Sequence, residues 1–244
     1  SAAAVSGMIL AQVVNNHGVL LGLLAILFYG IVLGCFNGFI VTTIGVNSLI
    51  TTLGGLGFLY GVALLIGNGQ TLMMKNFEWL GTAQPFTIPL PILIFFFIAI
   101  CGSIVLKYTR YGRSIYAIGS NPNAARVVGI RSNRIIFFTF ILSGISAALS
   151  GAILASQLSA GNPNSGLGME LQVVTAIVLG GASLAGGRGT VFGTILGLMI
   201  VGVLNNGLIL LDVPTFWQRI AQGLMLIAAV SFDSLRAKYG STRR

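Results

Sequence analysis

The sequence predicts an all-α protein, a polytopic transmembrane helical bundle, and three observations carry that expectation. Charged residues are 7% of the 244 and hydrophobic ones 55%, whereas a soluble domain carries about 25% charged residues. Apolar runs close to the roughly 20 residues that cross a bilayer's hydrocarbon core recur along the whole length. Glycine, with 34 residues, stands at about twice its usual share, and in a membrane it lets helix backbones approach closely. A water-soluble surface cannot be built from this inventory, and the mean hydropathy of +0.96 rules out a soluble domain carrying one anchor.

The runs and the polar breaks between them place helices at 1–14 (an incomplete span), 19–41, 48–66, 89–106, 135–155, 171–186, 190–210 and 218–232. The chain opens in an apolar stretch, SAAAVSGMIL, with neither an initiator Met nor a positively charged leader. Residues 1–244 therefore read as one transmembrane domain, with further helices expected upstream. The 19–41 run carries Gly30, Gly34 and Gly38 as a tandem GxxxG, and 48–66 carries Gly57 and Gly61. The 135–155 run has a small face at Ser143, Ala147, Ser150 and Gly151. The 171–186 run is short for a crossing and suits a broken or re-entrant segment equally well. Gly189, Gly193 and Gly197 open the 190–210 run. Such faces imply tight packing within a bundle; they do not say what passes between the helices.

Basic residues set the orientation. One set of loops holds Lys107, Arg110, Arg113, Arg126, Arg131, Arg134, Arg188, Arg236, Lys238, Arg243 and Arg244, eleven residues, and the other holds only Lys75 and Arg219. The excess assigns the first set and the C-terminus to the cytoplasm. Arg219 is the outlier, placed to snorkel to the outer interface or to face protein. Orientation also accounts for the net charge of +9, so nucleic acid is not an expected partner.

Little here can do chemistry. Cys35 and Cys101 lie far apart inside apolar runs and His17 stands alone, so no metal site is expected. GGASLAGGRGT (180–190) fails as a phosphate loop, because Gly187 stands where that motif needs Lys and apolar runs flank it. The chain is therefore expected to bind no ATP or other cofactor and not to be an enzyme. Glu78, Glu170, Asp212 and Asp233 all fall at or near loops, which leaves no mid-span acid for ion coupling and implies that energy arrives from another subunit. The polar residues in or near spans are neutral: Asn37, Thr51, Thr52, Gln157, Thr175, Asn205 and Asn206. Amides suit an uncharged polar solute, although each singly can simply bridge helices.

The longest basic loop, 107–134, has an apolar centre. Asn121 is a good N-cap, Pro122 is pre-set for the first helical position, Ala124 to Val128 propagate a helix and Gly129 ends it. That spacing predicts a helix of two turns, about 10 Å long. A helix so short is marginal alone in water, so docking must stabilise it.

With these residues in view, YTRYGRSIYAIGSNPNAARVVGI (108–130), GLGMELQVVTAIVLGGASLAGGRGTVFGTILGLMIVGVLNNGLILL (166–211) and AAVSFDSLR (228–236) resemble the membrane permease subunit of bacterial ABC importers of the ribose and arabinose class. The likeness runs from NGFIVTTIGVNSLITTLGG (37–55) to the end. It implies a type II-like ABC importer permease fold in the bacterial inner membrane and a second, identical or different, permease subunit. It also implies a periplasmic sugar-binding protein and a cytoplasmic ABC ATPase that holds ATP and Mg. Asn121, Pro122, Ala124, Ala125, Arg126 and Gly129 would then form the coupling helix, seated in a cleft of the ATPase. Asn37, Gln157, Asn205 and Asn206 are candidates to line the path, and Glu170 to contact the binding protein, with capping of the following helix as its simpler role. The family's acidic segment is absent at the start of this chain, which agrees with helices lying upstream. Two other readings stay open at this point: an ABC permease for branched-chain amino acids or another small solute, and a stand-alone carrier or channel.

Overall fold

The computed structural model describes residues 1–74, 77 and 79–240, with backbone alone at 86 and at 234–240. The chain is helical nearly throughout: α1 (Ala2–His17), α2 (Val19–Phe39), α3 (Ser48–Ile66), α4 (Trp79–Thr82), α5 (Leu90–Tyr108), α6 (Arg110–Ser120), α7 (Pro122–Val127), α8 (Ser132–Leu158), α9 (Met169–Leu179), α10 (Val191–Leu210) and α11 (Thr215–Gly240). Two two-residue strands, β1 (Leu72–Met73) and β2 (Ala160–Gly161), pair antiparallel. The elements form two compact units, Ser1–Ile98 with Arg131–Leu167, and Ala99–Ile130 with Gly168–Arg244.

Among the described residues five helices are long and apolar enough to cross a membrane: Val19–Ile44, Ser48–Ile66, Leu90–Tyr108, Ser132–Leu158 and Val191–Leu210. The first of these is α2 prolonged by a π-turn at Ile40–Ile44. The 171–186 run, short for a crossing, forms α9, whose 11 residues measure only about 16 Å. It ends where Gly180 lies against the backbone of Gly193. Over the 218–232 run α11 forms, 26 residues long, with Gln218, Arg219 and Gln222 in its first turns.

In the first unit α2 and α8 pack antiparallel, backbone to backbone. Gly30 faces Gly144, Ile145 and Ala148; Gly34 faces Phe140 and Ile141; Gly38 faces the Phe137 ring. The tandem GxxxG of α2 thus works as a packing seam. On α8 the seam and the α1 contact use Gly144, Ala148, Gly151, Ala152 and Ala155. This corrects the expected face of Ser143, Ala147, Ser150 and Gly151, of which only Gly151 is retained. Both stripes are small, and the choice between neighbouring stripes is made by where the α2 glycines and α1 can approach.

Helix α1 is well enclosed, with Ala4, Val5, Ser6, Gly7, Met8, Leu10, Ala11 and Val14 buried. The Ser6 hydroxyl donates to the Ala148 carbonyl at 2.6 Å, which satisfies the one polar side chain in that face. The segment beyond α3 closes over α1 and α8: Phe77 is fully buried, and Leu10, Ala11, Val14, Ile26, Met74, Phe77, Leu80, Ala152 and Ala155 form one core. Ser156 fastens this cover, its hydroxyl donating to the Phe77 carbonyl at 2.8 Å and accepting from the Gly81 N–H at 2.9 Å.

The Gly57 and Gly61 pair on α3 meets open space rather than a neighbouring helix. Helix α5 buries none of its residues within the chain. Cys101 on α5 is exposed and Cys35 half-buried, so neither belongs to the core. Residues Lys75, Glu78, Arg243 and Arg244 lie outside the described residues.

In the second unit α9 and α10 run antiparallel, Gly197 against the Ala176 carbonyl and Gly193 against Gly180. Thr190 caps α10, its hydroxyl accepting from the Gly193 N–H at 3.0 Å. Of the expected glycine row Gly189, Gly193 and Gly197, the last two make a helix contact, and Gly189 lies in the turn beside Ala182.

Candidate functional site

Helix α7 is built as its caps dictate. Asn121 Oδ1 accepts from the N–H groups of Asn123 and Ala124 at 3.1 and 3.0 Å, with Pro122 in the first helical position. At the other end Gly129 takes φ +82°, its N–H bonds the Arg126 carbonyl and the Ile130 N–H bonds the Ala125 carbonyl, each at 3.0 Å. This is a Schellman closure, and the left-handed residue at its centre suits glycine. Ala125 is buried, while Val127 and Val128 are 87% and 74% exposed beside exposed Ala124 and Arg126. A six-residue helix does not hold two bare valines in water at no cost; burying them against a partner would favour docking. The Asn121→Ala variant is expected to destabilise α7 by about 1 kcal/mol, read as faster amide exchange at Asn123 and Ala124. Unchanged exchange there would remove the cap from the account.

The loop 107–134 holds a second helix that the sequence reading left out. Helix α6 starts at Thr109, whose hydroxyl accepts from the Gly112 N–H at 3.1 Å. Its signal was present: Tyr111, Ile115 and Ile118 recur at helical spacing on one face, and Arg110 and Arg113 are exposed on the other. Asn121 joins the two helices, its N–H bonding the Ala117 carbonyl at 3.1 Å while its side chain caps α7. Helix α6 lies on the 180–190 turn, where the Tyr116 hydroxyl donates to the Gly189 carbonyl at 2.7 Å. At the same turn Asp233 of α11 accepts from the Ser183 hydroxyl at 3.3 Å. Within this unit α6, the Arg188 turn and the Asp233 stretch of α11 are therefore on one side.

The path candidates divide between the units. In the first, Asn37 is half-buried on α2 near Gly55 of α3, and Gln157 is exposed in the last turn of α8, its backbone against Gly81. Since α2 and α8 are antiparallel, with Gly38 facing Phe137, these two amides stand near opposite ends of the pair, about 28 Å apart along it. They do not form one site. In the second unit Asn205 accepts from Gln222 Nε2 at 3.1 Å, a bridge between α10 and α11, and Asn206 is exposed. Glu170 sits in the first turn of α9 and accepts from the Gly168 N–H at 3.3 Å, a capping contact that also complements the helix dipole.

A multi-pass helical membrane protein with glycine seams and a short capped helix in its basic loop is the class defined here. Residues 1–230 match the branched-chain amino acid transport system permease component family, and the chain belongs to that family. The ribose import permease protein RbsC of Escherichia coli strain K12 is 37% identical over 238 residues, covering 95% of this chain and 74% of that protein. The L-arabinose transport system permease protein AraH of the same strain is 38% identical over 204 residues, 83% of this chain and 62% of that protein. The xylose transport system permease protein XylH of Haemophilus influenzae is 44% identical over 151 residues, 62% of this chain and 40% of that protein. No solved structure matches the chain.

Proposed function

We propose that the chain is the transmembrane permease subunit of a binding-protein-dependent ABC importer, forming the path for a monosaccharide while a separate subunit hydrolyses ATP. The relatives quoted above support the sugar, since they are permeases for ribose, L-arabinose and xylose. The observation that carries the division of labour is α7, a capped helix with bare valines on the basic side of the chain. In this reading α7 seats in a cytoplasmic ABC ATPase that holds the ATP and Mg. A second permease subunit completes the path, a periplasmic sugar-binding protein delivers the solute near Glu170, and the C-terminus lies in the cytoplasm of a bacterial inner membrane.

In proteoliposomes holding the full complex, Ala124→Asp and Arg126→Glu are expected to reduce sugar-stimulated ATP hydrolysis at least about tenfold, the loss of roughly 1.4 kcal/mol of coupling. The binding protein should still hold its sugar. Wild-type stimulation in both variants would sink the docking role. The family's own description names branched-chain amino acids, which favours them as a second solute class, and calorimetry of the cognate binding protein with pentoses and with leucine decides between the two. Transport by this chain alone, without an ATPase, would instead establish a stand-alone carrier or channel.

A further inference from the structure

The 180–190 turn does not fit a phosphate loop, yet it is tied down on both of its arms. It is closed on itself by Ser183 N–H to the Arg188 carbonyl and Gly186 N–H to the Ser183 carbonyl, both at 3.1 Å. Its two arms are held by different helices. The 186–189 arm lies under α6: Tyr116 Oη donates to the Gly189 carbonyl at 2.7 Å, and a methyl added at Gly119 would meet the Gly187 nitrogen at 2.5 Å. Gly186 and Gly187 take φ +94° and +75°, and added side chains there would strike Gly119 and Ser120. The 183–184 arm is held by α11, through the Asp233 carboxylate accepting from the Ser183 hydroxyl at 3.3 Å and the Leu184 N–H at 3.4 Å. Beyond both arms the turn runs directly into α9 and α10, which are in backbone contact at Gly180 and Gly193.

We infer that this turn transmits the displacement of α7 to α9 and α10, with Tyr116 and Asp233 as its positioning residues. Asn121 couples α7 to α6, α6 presses on the 186–189 arm through the backbone approach of Gly119 to Gly187 and through the Tyr116 hydroxyl, and Asp233 keeps the opposite arm from yielding. A turn this closed moves as a body. A push on one arm therefore reaches the half-length helix α9 instead of being absorbed in loop motion, and such a contiguous set of contacts can carry coupling between separated sites. The inference rests on the docking role proposed for α7.

The test measures sugar transported per ATP hydrolysed in proteoliposomes of the complete importer. Tyr116→Phe is expected to lower that ratio about fivefold, the worth of one lost hydrogen bond in a coupled equilibrium, and Asp233→Ala, which loses two, at least about fivefold. Complex yield and basal ATP hydrolysis should stay at wild-type levels. Asp233→Asn keeps an acceptor oxygen and is expected to restore most of the ratio, which a merely structural loss would not show. Wild-type ratios in Tyr116→Phe and Asp233→Ala, or a fall in yield and basal hydrolysis with the ratio unchanged, would overturn the inference while leaving the permease reading intact. A wild-type complex that moves no sugar would take down both.

Discussion

The Gly34→Leu variant is expected to lower the unfolding midpoint of the chain in mild detergent by about 10 °C, while Gly57→Leu leaves it unchanged. Both positions belong to GxxxG pairs of apolar spans, and sequence treats them alike. A Cβ at Gly34 meets the Cα of Ile141 and the carbonyl of Phe140, whereas at Gly57 it meets nothing. Overpacking a core costs about 1–3 kcal/mol where neighbouring side chains can rotate away. At Gly34 the obstacle is main chain, so α2 and α8 must separate along the whole seam and the Gly30 and Gly38 contacts are lost with it. A cost of about 3 kcal/mol corresponds to the stated shift for a chain of this length. Equal midpoints for the two variants would show that the seam does not hold the unit together.

The Ser156→Ala variant is expected to cost about 3 kcal/mol and to open the 67–89 segment to protease. The hydroxyl is fully buried and makes two hydrogen bonds, one as donor to Phe77 and one as acceptor from Gly81. Removing it leaves the buried Phe77 carbonyl and the half-buried Gly81 N–H without that partner, the first at about 1–3 kcal/mol and the second at the lower end of that range. The loss falls where the cover meets α8, so Phe77 and Met74 should be exposed before the helices part. Proteolysis at the wild-type rate would show that apolar packing around Phe77 holds the cover unaided.

These two variants mark where sequence reading reaches and where it stops. The α3 span was legible to the residue, because Asn47 begins it as a cap that accepts from the Leu49 N–H and Gly67 stops it. Helix α7 was legible for the same reason: Asn121, Pro122 and Gly129 act through their own backbone, within a few residues of themselves. Whether a glycine row meets a partner depends on another helix, so Gly34 and Gly57 could not be told apart. The α8 stripe was misplaced by one residue on the same grounds. Helix α9 ends early because Gly180 meets Gly193, a contact between two runs that each look apolar to the end. Of the basic loop, the capped helix α7 was read directly, but the contacts of Tyr116, Ser183 and Asp233 were not, since their partners lie 50 or more residues away in sequence. The Gln222 bond to Asn205 was likewise not legible, since it joins α10 to α11 across the intervening turn.

The seam has a further consequence in the bilayer. With its π-turn the α2 span reaches 26 residues and α8 has 27, about 39 and 40 Å of helix against roughly 30 Å of hydrocarbon. Surplus length of that size is taken up by leaning or by standing out among the headgroups. Asn133 Nδ2 bonds the Thr42 carbonyl at 3.0 Å, which pins the two helices together at the end where Arg131 and Arg134 begin α8. The pair therefore leans as one body. A thicker or thinner lipid sheet would be met by a change in its inclination, with the glycine contacts kept in register.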